Sequence, residues 1–269
     1  GTNLPLPGFV NLKNASNPDF HPNQSELFNE AAKWRASHKI KPSESDKTKI
    51  HLLLIDVQRD FCFPEGSLYV GGRSGTGAIE DSGRMASFIY KNLGVLTDIT
   101  VTLDTHFMQQ IFFPSFWHDE NGKNLQPFTT ITSEMIQKGK AVPNPAVARL
   151  CNSSYPWLRQ QAEFYCEELE KAGKYKLYLW PFHCILGDVG HNLVGLIHEA
   201  RFFHSAVRGV QCNAEVKGGN PFTENYSVLR PEVLMRHDGK PLVQKNTQFI
   251  KTLLASDAVI IAGQAASHC

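Results

Sequence analysis

The 269-residue chain has no apolar run approaching the roughly 20 residues that cross a bilayer, and its amino end has no basic segment followed by an apolar core. Neither a membrane span nor an export leader is expected, and a cytoplasmic setting is. Net charge is also scarce. With 27 Lys and Arg against 26 Asp and Glu, the formal charge is +1, which gives no general attraction to phosphate backbones or anionic lipid, so nucleic acid and membrane are not expected partners. There is no CxxC spacing. The six cysteines (Cys62, Cys151, Cys166, Cys184, Cys212 and Cys269) are scattered and mostly flanked by apolar residues, which suits a reducing compartment rather than a disulfide framework. Repeats and low-complexity tracts are missing too. What remains, 42% hydrophobic and 20% charged, is ordinary globular composition, enough for one large α/β domain or two small ones.

The most informative stretch is the last, Asp257 to Cys269. Ala258 to Ala262 reads as a strand buried on both faces, and Gly263 with the small residues after it reads as a tight turn at the strand's carboxyl end. Ligands of open parallel sheets bind outside those ends, where helices begin. A thiol there gains a helix dipole and unpaired N–H groups, which favour thiolate and stabilise an oxyanion. The helix this needs would lie beyond Cys269, where the sequence stops. A free cysteine is more often a small buried hydrophobe, so Cys269 alone supports both readings.

Residues 1 to about 25, rich in Pro and Asn, read as an extended arm, followed by a short amphipathic helix to Ser37 (Leu27, Ala31, Trp34) and a solvated charged linker from Lys41 to Lys49. Lys49–Ile55 is the expected first central strand. It ends at Asp56 and opens into a loop punctuated by Pro64, Gly66, Gly71 and Gly72. Asp56 there is either a ligand-facing acid or a cap for the loop's own N–H groups. Helical spacing over 77–95 precedes a strand at Ile99–Leu103, which ends at Asp104-Thr105-His106, two donors able to share a divalent ion. Residues 107–155 break the rhythm with the aromatic run Phe112–Trp117, read as core packing of a small helical insertion in preference to a substrate wall.

A helix over 156–172 stopped by Gly173 leads to a third expected strand, Lys176–Trp180, with His183 following as a third possible metal donor. A helix from His191 to Phe203 and a strand from Val210 to Val216 lead to Lys217-Gly218-Gly219, where Lys217 reads first as a surface ammonium. Asp56, Asp104, His106, His183, Lys217 and Cys269 all fall at or just after the carboxyl ends of five expected strands alternating with helices. Random surface polars would fall at both ends. The expected architecture is α/β, a Rossmann-like open and mainly parallel sheet with helices on both faces, with an arm and short helix over 1–48 and one domain over 49–269.

Four motifs in order carry a resemblance: Asp56-Val57-Gln58-Arg59-Asp60-Phe61-Cys62 with Gly66-Ser67-Leu68; Trp180-Pro181-Phe182-His183-Cys184; Lys217-Gly218 with Asn225-Tyr226-Ser227; and Gly263 to Cys269. From Lys49 to Cys269 the chain resembles the isochorismatase-like cysteine hydrolases, most of all their nicotinamidase/pyrazinamidase branch. The resemblance implies a catalytic triad of Asp56, Lys217 and Cys269, and a cis peptide between Gln264 and Ala265 that turns the N–H groups of Ala265 and Cys269 into an oxyanion hole. It implies one divalent metal, zinc or similar, on Asp104, His106 and His183, with no organic cofactor. Phe61, Leu68 and Trp180 match positions lining a ring-binding pocket, and Gln58 matches a site-supporting glutamine. Where family members commonly read Asp-Trp-His-Pro, this chain has Asp104-Thr105-His106-Phe107. The implied activity is cysteine-dependent hydrolysis of a small, nicotinamide-like carboxamide through a thioester. Its rivals are hydrolysis of another C–N substrate, such as an N-carbamoyl or ureido compound, and a catalytically silent binding protein. The expected partners are a small-molecule amide and further copies of the chain.

Overall fold

The computed structural model describes residues 3–265, so Cys269 lies outside the described residues. In chain order the elements are α1 (Gln24–Ser37), β1 (Ile50–Ile55), α2 (Arg59–Cys62), α3 (Gly77–Lys91), β2 (Asp98–Asp104), β3 (Trp117–His118), β4 (Thr130–Ile131), α4 (Ser133–Gln137), β5 (Val142–Pro143), α5 (Tyr155–Ala172), β6 (Leu177–Tyr178), α6 (Gly195–Arg208), β7 (Asn213–Lys217), α7 (Thr247–Leu254) and β8 (Ala258–Gly263). They divide into two compact units: residues up to 104, 188–216 and from 248 on; and residues 105–187 with 217–247. No helix among the described residues is long and apolar enough to cross a membrane.

The first unit is built on a four-stranded sheet of order β7-β2-β1-β8, in which β1 pairs parallel with both β2 and β8. The near-continuous apolar run Leu52-Leu53-Leu54 takes the central place because both of its faces are covered, and all three side chains are buried. Alternation along the strand sends Leu52 and Leu54 toward Met85 and Phe88 of α3. His51 faces the other way, its ring 6.4 Å from that of Phe249 in α7. Helices therefore cover both faces, as the α/β reading requires.

Two strand expectations need correction. β8 is not buried on both faces: it ends the strand order, is paired only with β1 among the described residues, and leaves Ile261 66% exposed. Lys176–Trp180 is not a strand of the main sheet. Its hydrogen-bonded part, β6, pairs antiparallel with β4 inside the second unit, because Pro181 cannot extend a ladder and Trp180 N donates instead to Phe112 O at 2.8 Å. The strand expected over 210–216 forms over Asn213–Lys217, and the helix expected from His191 begins at Gly195.

The amino-terminal arm and the charged linker are more structured than their composition suggests. Residues 12–16 form a 3-10 turn that buries Ala15, and Phe9 meets the rings of Tyr90 and Phe203 edge-on. Asp46, expected in a solvated linker, pairs with the buried Arg208 guanidinium and accepts from Thr97 Oγ1 at 2.8 Å, while Arg208 also donates to Lys41 O at 2.7 Å. Asp46→Ala is expected to cost about 3–5 kcal/mol in urea unfolding, because it strands a buried guanidinium. A loss under about 1 kcal/mol would show that this pair behaves like a surface bridge.

The second unit packs around the aromatic run. Phe112, Phe113, Phe116 and Trp117 join Leu158, Tyr165 and Leu169 of α5 in one buried cluster, as the packing reading of that run anticipated. Helix α5 ends where expected, with Gly173 in the left-handed region at φ 64°.

Candidate active site

In the first unit β1 delivers Asp56 into a wholly buried position with φ +47°, a conformation that Asp tolerates better than most residues. Thr102, on the neighbouring strand, holds it twice: its Oγ1 accepts from Asp56 N at 2.9 Å and donates to Asp56 Oδ1. Gln58, matched by resemblance to a supporting glutamine, is also fully buried. Its Oε1 accepts from Asp104 N at 2.7 Å, and its Nε2 donates to Asp104 O at 2.8 Å and His191 O at 2.9 Å. Both polar ends of one amide thus clamp the backbone of Asp104, which fixes where that carboxylate leaves the strand.

Asp60, which lies within the first motif but carries no role by pattern or resemblance, ties α2, which bears Phe61, to the loop that bears Leu68. Its Oδ1 accepts from Ser67 N at 3.1 Å and its carbonyl from Leu68 N at 3.2 Å, while Val70 N donates to Phe61 O at 2.8 Å. Its carboxylate lies flat on Gly190, where an added Cβ would come within 2.2 Å of Oδ2. Phe61 is buried beneath this loop and Leu68 is half-buried on it.

In the second unit the rings of His106 and His183 stand edge-to-face at 4.8 Å. Each has its Nδ1 on a backbone carbonyl, Gly218 O at 3.0 Å for His106 and Pro181 O at 2.8 Å for His183. A carbonyl accepts only, so Nδ1 carries a proton in both rings, and in the neutral tautomer this leaves Nε2 as the nitrogen with the lone pair. Phe112 and Phe113 press on His106 at 4.8 and 5.6 Å, so the aromatic run also walls the histidine pair. Gln110, which belongs to none of the four motifs, donates through Nε2 to Gly218 O and Asn220 O and accepts from Phe107 N, fixing the turn after Lys217. No local signal marks it, because the two carbonyls it donates to lie more than a hundred positions on.

The surface reading of Lys217 is overturned. The side chain is buried, with Nζ donating to Asn225 O at 3.0 Å, since β7 ends inward rather than at the surface. Trp180 is half-buried, its Nε1 donating to Glu224 Oε1 at 3.1 Å.

The Asp104 carboxylate and one ring nitrogen each of His106 and His183 lie within 4.8 Å of one another. One carboxylate and two imidazoles with a fixed tautomer are a donor set suited to zinc or a similar divalent ion. The thiols of Cys62 and Cys166 are poor nucleophiles: burial pushes Cys62 up to about 12 and raises Cys166 as well. After β8, the peptide between Gln264 and Ala265 is cis, as the resemblance implied, and Gln264 N donates to Ile55 O at 2.9 Å. Ala265 is within the described residues and Cys269 is outside them.

No protein-family model and no curated protein matches the sequence. Among solved structures, the chain is similar to the yeast nicotinamidase Pnc1p, with a TM-score of 0.49 and 20% identity over 82% of this chain and 77% of that one. It is also similar to a nicotinamidase/pyrazinamidase of Acinetobacter baumanii, with a TM-score of 0.46 and 19% identity over 84% of this chain and 75% of that one. A third, PnC1 from L. infantum in complex with nicotinate, gives 0.41 and 15% over 82% and 69%.

Proposed function

We propose that the chain is an isochorismatase-like cysteine hydrolase that cleaves a small carboxamide of nicotinamide type through a thioester on Cys269. The observation that carries the reading is burial. Asp56, Asp104, His106, His183 and Lys217 are each no more than 7% exposed, although water would solvate every one of them better. Ionisable side chains held dry at strand ends, in motifs that already shared one order along the chain, fit a reaction centre better than a structural role.

In the proposed reaction Cys269 Sγ gives its proton to Asp56, and Lys217 stabilises the thiolate and the carboxylate. The sulfur adds to the amide carbon, and the N–H groups of Ala265 and Cys269 receive the oxyanion. The C–N bond breaks as Asp56 returns the proton to nitrogen, releasing ammonia. Water then adds to the thioester, and the carboxylic acid leaves with the thiol restored. Asp104, His106 and His183 would hold the divalent ion, which supplies a Lewis-acid position for a ring nitrogen or a water. Phe61, Leu68 and Trp180 would line the ring pocket, with Gln58 supporting Asp104 beside it.

Ammonia release over a panel of nicotinamide, pyrazinamide, an N-carbamoyl amine and a ureido acid tests the reaction class. Turnover of the two ring amides is expected. Turnover of the carbamoyl or ureido compound alone would move the substrate to the rival class, and no ammonia from any of them, with Cys269 unreactive toward iodoacetamide near neutral pH, would favour a silent binding protein. Metal analysis of the purified protein is expected to find about one divalent ion per chain, lost in His106→Ala and His183→Ala. An unchanged metal content in both variants would remove these residues from the ligand set.

A further inference from the structure

Glu224 is a carboxyl group in an unusual place. It is 3% exposed, and no ion pair reaches it among the described residues. Instead it sits among aromatic polar groups. Trp180 Nε1 donates to Oε1 at 3.1 Å, and the Tyr165 hydroxyl, on α5, lies 3.4 Å from Oε2 while accepting from Glu224 N at 3.1 Å. The Tyr226 hydroxyl is 3.2 Å from the same indole nitrogen. Its backbone is held as well, with Glu232 N donating to Glu224 O at 2.9 Å.

Burying a carboxyl without a cation is costly, and the core around α5 would accept a hydrocarbon of similar volume. What a hydrocarbon could not do is fix the indole. Trp180 is half-buried, its backbone is pinned by Phe112 O, and Tyr178 meets its ring edge-on at 4.8 Å, so the bond to Glu224, with the Tyr226 hydroxyl 3.2 Å from the same nitrogen, acts on the remaining rotation.

We propose that Glu224 is a positioning residue of the ring-binding pocket, holding the Trp180 indole in the orientation in which it receives the substrate. This rests on the nicotinamide-type reading of the site. Burial pushes the Glu224 carboxyl up to about 8, with Glu232 adding to the rise. The groups facing it are Tyr165 and Cys166 of α5, Trp180, Tyr226 and Glu232, and Glu232 is in turn flanked by Lys174 and Arg230. Burial raises Tyr165 and Tyr226 as well, so in mild alkali the carboxyl ionises before its phenol neighbours. A neutral acid thus holds the indole at pH 7, and above pH 8 the same oxygens carry a charge that the indole and phenol donors bind more strongly, so the hold on Trp180 changes as the carboxyl ionises.

Two readouts test this. In steady-state hydrolysis of nicotinamide, Glu224→Leu is expected to raise KM about tenfold with kcat within about twofold, and Glu224→Gln, which keeps a neutral acceptor, to behave as the parent at pH 7. The parent KM is expected to shift across pH 8, as the carboxyl ionises, and the Glu224→Gln KM to stay flat. Independently of turnover, the Trp180 indole N–H resonance, assigned by its loss in Trp180→Phe, is expected to shift with a midpoint near 8 in the parent and not in Glu224→Gln. Absence of nicotinamide hydrolysis in the parent would sink the amidase reading, leaving the indole titration to decide whether Glu224 holds Trp180. Equal KM in Glu224→Leu and the parent, or an indole resonance blind to pH in the parent, would overturn the positioning role. Should Glu224→Leu fail to fold, the isosteric Glu224→Gln pH profile still decides.

Discussion

Replacing Cys269 with alanine is expected to lower carboxamide turnover by at least about 10⁴-fold while leaving substrate binding and the fold in place. The size follows from what the residue does. In the proposed scheme it forms the covalent bond, so its loss removes the pathway rather than one stabilising contact. Asp56→Asn is expected to approach the same loss, because an amide cannot accept the thiol proton although it can keep the Thr102 hydroxyl bond. Iodoacetamide near neutral pH should modify Cys269 ahead of Cys62 and Cys166, whose thiols burial keeps protonated. Peptide mapping reads the modified position directly. A Cys269→Ala protein that still releases ammonia at the parent rate would end the thioester proposal, whatever the behaviour of Asp56.

The second large effect is expected at Gly263. Its φ is +124°, a conformation L side chains rarely adopt, and it lies opposite Ile55 in the β1–β8 ladder. A Cβ there would meet Ile55 O at 2.1 Å and Ile55 N at 2.6 Å, backbone atoms of a central strand that cannot swing aside. Gly263→Ala is expected to destabilise the protein by more than about 4 kcal/mol or to prevent folding, read by thermal or urea unfolding. The contrast is Gly122→Ala, at φ +77° with open space around it, where only backbone strain of about 1–2 kcal/mol is expected. Similar losses in the two variants would show that steric contact with Ile55 is not what requires glycine at 263.

Residues that lie close in sequence and take a regular period were legible. The Leu52-Leu53-Leu54 run announced a central strand, Gly173 announced the end of α5, and Asp56 and Asp104 were readable as strand-end acids, because each signal sits within a few residues of the position it describes. The motifs also made the cis peptide at Gln264–Ala265 readable, through resemblance rather than through any local propensity. Illegible were the features made by pairing at a distance. Lys176–Trp180 has the composition of a buried parallel strand and forms instead a two-residue antiparallel pair with Thr130–Ile131, since composition does not name a partner. Asp46 looks solvated among charged neighbours until the buried Arg208, 162 positions on, pairs with it.

Local pattern was enough for the α/β class, for the chain order of the chemistry-bearing motifs, and for the residue types that stand at the strand ends, because hydrophobic period and strand-end position are properties of short stretches of chain. It took the folded molecule to bury Lys217, which would otherwise be a surface ammonium, to spend both ends of the Gln58 amide on the backbone of Asp104, to put a proton on Nδ1 of His106 and His183, and to set Glu224 against Trp180. Each of these depends on which backbone carbonyl or aromatic ring the fold brings within about 3 Å, and most of those partners are far away along the chain and meet only once it has closed around them.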